Sequence, residues 1–283
     1  RMYDPDRLPP PVPGNPEIDQ MDEDLLTMNH KVFADDVTPM HAQIVKARYY
    51  GAVSFIDQCV GRILDAVEAR GDGDNTIICF MTDHGDHLGD HHAWQKSSFF
   101  ESSTRIPLLL SWPRRLPAGK VNDNLVCLTD LFALATGACG AVELREGADI
   151  LGMLEGKARP RERIVGMHGM PGRRGFKLMV RDETWKYVFM ANGGREQLFN
   201  VTEDPEELRN RLHDDPQVAA RLRAAAVAAC KVPGAQDALE GDALRSFPHA
   251  APERNRRIYQ FEHSRGVTGF PAKPEDALKD FKF

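Results

Sequence analysis

With 283 residues, 42% of them hydrophobic, the chain is long enough to bury a large core and suggests one big domain or two unequal ones. A formal net charge of -6 on a mixed surface gives no electrostatic reason for a nucleic-acid partner or an anionic membrane surface. No apolar run approaches the roughly 20 residues needed to span a bilayer, so the chain reads as soluble, cytoplasmic or periplasmic. Its five cysteines, Cys59, Cys79, Cys127, Cys139 and Cys230, are irregularly spaced. They form neither a disulfide framework nor a zinc pattern and read as buried free thiols.

The chain opens RMYDPDRLPPPVPG, with four prolines between Pro9 and Pro13, which favour an extended segment over a helix or central strand. The acidic, proline-rich stretch to about Thr38 suits a loop running over a surface made by other residues. A complete domain seldom starts this way, so a preceding segment is expected. From Met40 to Arg70, apolar positions Tyr49, Ala52, Ile56, Val60, Ile63 and Val67 recur every three or four residues, predicting one amphipathic helix ended by Gly71. After the turn GDGDN comes TIICFMT, a continuous apolar run of the kind found in strands buried on both faces of a parallel sheet. Helix then buried strand implies an α/β layer structure.

Asp83 and His84 follow at the carboxyl end of that strand, where ligands bind in open α/β sheets. Residues 83 to 92, DHGDHLGDHH, hold three aspartates and four histidines, a density of oxygen and imidazole donors suited to a cation. A solvated polar loop explains the composition equally well; the position at a strand end tips the balance toward metal. Adjacent residues on a regular strand point to opposite faces, so Asp83 and His84 share one ion only if the chain bends, which Gly85 permits.

Next, IPLLLSW predicts a second buried strand, and VCLTDLFALATG a helix capped by Thr129 with Leu131, Leu134 and Ala135 on its apolar face. Beyond about residue 160, RIVGMHG, FKLMVRD, TWKYVFM and EQLFNV are short strand-like runs between Gly- and charge-rich turns, which predicts a small antiparallel sheet. In DPEELRN, Asp204 and Pro205 open a turn and Glu206 and Glu207 suit a helix N-terminus. Residues 216 to 230 predict an alanine-rich helix opened by Pro216. The tail from Gly241, with Arg254, Arg256 and Arg257, could pack on the domain, cover a cleft or meet another subunit of a homo-oligomer.

The order TDHGDxLGD after an apolar strand, then a lysine, an aromatic-Glu pair and RIPLLLSWP, resembles the sulfatase family of the alkaline-phosphatase superfamily. WKYVFMANGGREQLFNVTEDPEELRNRL resembles the C-terminal subdomain of the same family, with its LF(N/D)xxxDPxExxN signature. The resemblance implies that Asp83 and His84 ligate a divalent cation, most often calcium, with magnesium or manganese also accepted. Lys96 takes the place of the lysine that contacts the sulfate group, where a point charge stabilises developing negative charge. Glu101 and Arg105 fall on matching positions whose spacing fits a short turn holding an ion pair behind the site. His87, His91 and His92 are weaker candidates, meeting substrate or facing water. Trp94, Phe99 and Phe100 line the cleft or belong to the core.

The family's nucleophile, a Cys or Ser in C/SxPSR converted to formylglycine, is not found at any of the five cysteines. Ser111-Trp112-Pro113-Arg114-Arg115 satisfies SxPxR literally but stands where the family has an ordinary strand end, SWPxRxPAG, and is read as a coincidence. The family's N-terminal aspartate pair, and the lysine and histidine that flank the nucleophile, are not found either. MYDPDRLPPP resembles the stretch that follows the family's PHxP segment, so the expected missing part runs up to and includes that histidine. Two ligands cannot close a hard-cation shell of six or more oxygens, so the chain is expected to be inactive alone. The implied fold is α/β: part of an alkaline-phosphatase-like sheet sandwiched by helices, plus a small C-terminal antiparallel sheet with a helix. Residues 1–158 form the C-terminal part of the catalytic domain and 159–283 the small subdomain. The implied activity is hydrolysis of a small-molecule sulfate ester; a phosphonate or phosphate ester hydrolase of the same superfamily, or a non-catalytic fragment or pseudoenzyme, is the alternative.

Overall fold

The structure, a computed structural model, describes residues 2–15, 18, 38–141 and 145–251. Arg254, Arg256 and Arg257 lie outside the described residues. The chain forms two compact units, 1–118 with 251–283, and 119–250. Residues 119–158, expected with the first domain, fall in the second unit.

The first unit is built on helix α1 (Pro39–Ala69). Pro39 in its first turn costs no hydrogen bond, and the Thr38 hydroxyl accepts from the His41 N–H. At the other end Gly71 adopts φ +77°, the left-handed conformation that closes a helix without a Cβ penalty. Its covered face differs from the expected stripe. Residues 3–9 lie along α1, where the Tyr3 hydroxyl meets Ser54 Oγ at 2.7 Å and the Tyr3 ring sits edge-on to Tyr50. Gln43 Nε2 and Lys46 Nζ donate to the carbonyls of Leu8 and Pro9. Among the described residues the stripe through Tyr49, Ile56 and Ile63 is exposed, Ile63 by 62%. Periodicity located the helix, and the proline-rich segment selected the face it covers.

Strand β1 (Ile78–Met81) follows and leads through the loop 82–100 to the short helix α2 (Glu101–Thr104) and strand β2 (Leu108–Ser111). The expected parallel pairing is corrected here: β1 and β2 pair antiparallel, from Ile78 opposite Ser111 to Met81 opposite Leu108. A continuous apolar run states that both faces are apolar but not which way the neighbour runs. Nor are both strands fully buried among the described residues, since Leu109 and Phe80 are exposed.

In the second unit, helix α3 (Asp130–Ala138) and helix α4 (Ile150–Leu154) precede a four-stranded antiparallel meander. Its strands are β3 (Ile164–His168), β4 (Lys177–Arg181), β5 (Trp185–Met190) and β6 (Arg195–Asn200), neighbours in chain order. Helix α5 (Pro216–Ala229) lies on it. Its Ala219, Leu222, Ala225 and Ala226 recur at helical spacing and pack with Phe176, Leu178, Val180, Tyr187 and Leu198 of the sheet region. Small alanines let the helix approach the sheet closely, so the core closes around a few large side chains. The hairpin β7 (Leu239–Glu240) and β8 (Ala243–Leu244) completes the unit.

Three expectations change in this unit. Thr129 stands at the N-cap of α3 but its side chain makes no capping bond; the Asp130 carboxylate instead accepts from the Cys127 and Ala148 N–H groups. Glu207 sits at no helix N-terminus. It takes φ +55° and turns inward, where its carboxylate meets Lys186 Nζ at 2.8 Å with both side chains essentially inaccessible to water. Of the five free cysteines only Cys230 is fully buried, and Cys139 is exposed.

Candidate active site

Strand β1 ends at Met81, and the chain turns so that Thr82, Asp83 and His84 stand beyond its carboxyl end. The Thr82 hydroxyl donates to the His84 carbonyl, and the His84 N–H donates to Asp83 Oδ1 at 3.1 Å. That local turn lets neighbouring residues converge: Asp83 Oδ2 lies 3.4 Å from His84 Nε2. Gly85 contributes by close approach rather than by an unusual φ. A Cβ there would lie 2.0 Å from the Ser102 carbonyl oxygen, and the Gly85 N–H donates to the Ser103 carbonyl.

The imidazole tautomer follows from its partners. His84 Nδ1 faces the Gly85 carbonyl at 2.8 Å, so it carries the proton and leaves a lone pair on Nε2. Lys96 Nζ donates to that lone pair at 2.6 Å, with two further N–H groups left for other acceptors. Two donors to one hard cation, about 2.4 Å from it and at a right angle, lie about 3.4 Å apart, which the Asp83 and His84 atoms match. Once the Lys96 ammonium turns from the Nε2 lone pair to an anionic group, the pair fits a divalent ion as part of a shell. Among the described residues no group of three or more His, Cys, Asp or Glu side chains could hold a metal. The Asp83 side chain is 77% exposed. Desolvation pushes its carboxyl up, but the backbone N–H groups of Asp83 and His84, the neighbouring His84 ring and the Lys96 charge together hold it below the usual carboxylate range. It stays ionised, as a cation ligand must.

The other candidates separate into those in the open and those inside. His92 is exposed, Lys96 is exposed, and Trp94 and Phe99 are half-buried. His91 is buried with its ring stacked on Phe100 at 4.0 Å. His87 is fully buried, its Nε2 2.8 Å from Ser98 Oγ and its Nδ1 2.8 Å from Ser102 Oγ. Glu101 opens α2 and Arg105 closes it through a backbone bond to the Glu101 carbonyl, with the Arg105 side chain exposed. Ser111 pairs with Ile78 at the far end of β1; from Ile78 to Asp83 an extended chain runs roughly 15 Å, so the SxPxR match stands away from the patch.

Serine residues that sequence reading passed over hold this loop together. Ser103 Oγ donates to the Lys96 carbonyl at 2.7 Å. Asp86 Oδ1 accepts from the N–H groups of Leu88 and Gln95. Leu88, His91, His92 and Gln95 all adopt positive φ, at about 1 kcal/mol or more each for residues other than glycine. The only signal in the sequence was the cluster SSFFESS itself.

Residues 13–141 match the family model described as Sulfatase, and residues 89–226 match the one described as N-sulphoglucosamine sulphohydrolase, C-terminal. Both models include Lys96, and the first includes Asp83 and His84. The two matches together run from residue 13 to residue 226, and along them the chain is similar to the sulfatase family. It is 28% identical over 220 residues to an arylsulfatase of Clostridium perfringens, a match covering 76% of this chain and 45% of the relative. It is 32% identical over 187 residues to a choline-sulfatase of Rhizobium meliloti, covering 64% and 36%. The phosphonate monoester hydrolase of Agrobacterium radiobacter has a similar fold, with a TM-score of 0.67 and 27% identity over 78% of this chain and 50% of that one. The chain spans less than half the length of these two curated relatives. Members of the sulfatase family use a divalent metal, and Asp83 with His84 is the described pair whose donor set and spacing suit one. Among the described residues no helix is long and apolar enough to cross a membrane.

Proposed function

We propose that this chain supplies one wall of a sulfate-ester hydrolase site, in which Asp83 and His84 hold a divalent cation, calcium by the family resemblance, and Lys96 binds the sulfate group. The observation that carries the reading is the convergence of Asp83 Oδ2, His84 Nε2 and Lys96 Nζ beyond the carboxyl end of β1. The cation, when bound, supplies Lewis-acid polarisation of a sulfuryl oxygen. Lys96 places a fixed positive charge beside the sulfuryl oxygens, where it stabilises negative charge as the alcohol leaves. The His84 Nδ1–H bond to the Gly85 carbonyl keeps the Nε2 lone pair directed at the site. The nucleophile that attacks sulfur, a formylglycine, belongs to polypeptide outside these 283 residues, and the chain alone hydrolyses nothing.

Reading the coding sequence upstream of Arg1 tests this directly. An in-frame C/SxPSR motif preceded by an aspartate pair is expected; a start codon at this point would overturn it. In the enzyme so extended, Lys96→Ala is expected to lower aryl sulfate turnover at least about a hundredfold, the scale of one lost oxyanion donor. The likeness to a phosphonate monoester hydrolase favours a second reading, hydrolysis of a phosphonate or phosphate ester by the same wall. Relative kcat/KM for an aryl sulfate and an aryl phosphonate monoester separates the two.

A further inference from the structure

Lys96 reaches His84 from a loop whose backbone is strained at Leu88, His91, His92 and Gln95, and such conformations persist only where surrounding structure over-determines them. Beside the Asp86 and Ser103 bonds, several of the contacts that over-determine this one meet at a single buried side chain. The His87 ring meets Ser98 Oγ through Nε2 and Ser102 Oγ through Nδ1, each at 2.8 Å, while the His87 backbone N–H donates to the Gln95 carbonyl. Ser98 Oγ also accepts from the Phe100 N–H, and the Phe100 ring lies edge-on to the His87 ring. Ser102 presents its carbonyl to Gly85, and the adjoining Ser103 holds the Lys96 carbonyl through its hydroxyl and the Gly85 N–H through its own carbonyl. The segment that carries His84 and the segment that carries Lys96 are thus tied on both sides of His87.

We propose that His87 is a positioning residue: buried and away from any substrate, it clamps the 95–103 segment against residues 84–87 and so fixes where the Lys96 ammonium stands relative to His84. This rests on the reading of Asp83, His84 and Lys96 as a catalytic patch, and extends it to a residue that touches neither sulfate nor metal. Removing one of its two serine bonds leaves the ring in place but frees one side of the loop. Lys96 then samples positions off the site, which lowers kcat while KM changes little, because a displacement of about 1 Å can cost up to about a hundredfold in the chemical step.

The test uses Ser98→Ala, Ser102→Ala, His87→Ala and His87→Gln in the full-length enzyme. Amide hydrogen exchange is expected to rise at least about tenfold across 88–103 in Ser102→Ala, with the 177–200 strands unchanged as an internal control of folding. Turnover of an aryl sulfate is expected to fall roughly tenfold in kcat, with His87→Gln recovering part of what His87→Ala loses. In a Lys96→Ala background the same serine substitution is expected to change turnover less than about twofold, since residues acting through one another are non-additive. Equal fold losses in both backgrounds, or unchanged exchange across 88–103, would overturn the proposal. A full-length enzyme inactive on sulfate and phosphonate esters would overturn the functional reading, and the exchange measurement still decides whether the clamp exists.

Discussion

The two units treat charge in opposite ways. Beyond β1 the ionisable groups stand in the open: Asp83 is mostly exposed and His84 about one-third exposed, and the Lys96 ammonium retains free donors. In the second unit two ion pairs are enclosed and closed off. Lys186 and Glu207 are paired at 0% and 1% exposure, and Asp130, fully inaccessible, takes both terminal nitrogens of Arg161 at 2.5 and 2.7 Å. Charges enclosed with their partners are costly to separate, because removing one strands the other away from water, whereas converging charges left under-partnered at a strand end are available to a ligand. Substitutions in the two regions should therefore separate stability from chemistry.

The largest stability effect is expected at the enclosed pair. Lys186→Ala leaves the Glu207 carboxylate buried without its cation and should cost about 4 kcal/mol in urea unfolding; a change under about 1 kcal/mol would show that water reaches the pair. Next comes Asp130→Asn, which weakens charge-assisted bonds to Arg161 and should cost roughly 2 kcal/mol at neutral pH. Burial alone would raise the Asp130 carboxyl, but the Arg161 guanidinium and then the Ala148 and Cys127 N–H groups hold it below the usual carboxylate range. Its folded-state pKa is thus depressed. The stability it contributes is present above the unfolded value of about 3.9 and is lost as pH falls through the lower folded value. Acid titration of the thermal midpoint should show a slope that Asp130→Asn reduces.

A smaller pair of changes sharpens the contrast at helix ends. Asp149 accepts from the Gly152 N–H at the start of α4, so Asp149→Ala should cost about 1 kcal/mol. Thr129, with no capping bond, should cost less than about 0.5 kcal/mol as alanine. Smallest of all is Lys96→Ala, expected to leave the thermal midpoint within about 2 °C despite its large effect on turnover. A large loss of stability there would erase the distinction between the two regions.

Much of this organisation was legible because it depends on local pattern. The α1 periodicity, the strand-like runs of the four-stranded sheet and the alanine-rich α5 state their own conformations. So did the approach of Asp83 to His84, since the turn that follows the strand is closed by neighbouring residues, Thr82 and Asp83. What the sequence did not state depends on partners distant along the chain. The inward placing of His87 depends on Ser98 and Ser102, eleven and fifteen residues after it. Lys186 did carry a signal, a lysine in the otherwise apolar run of β5, but its partner is Glu207 rather than Glu206, a choice made by one left-handed backbone turn. The direction of β2 relative to β1 was likewise hidden, because apolar composition is the same in either orientation.

Gly85 leaves a design constraint behind. The space between its α-carbon and the Ser102 carbonyl is too narrow for a methyl group, so the two segments of the loop can be re-tailored only around a fixed hydrogen-sized gap. His92 and Gln95 on the same loop expose their side chains to water, so changes there leave that gap untouched, provided the new residue tolerates the positive φ.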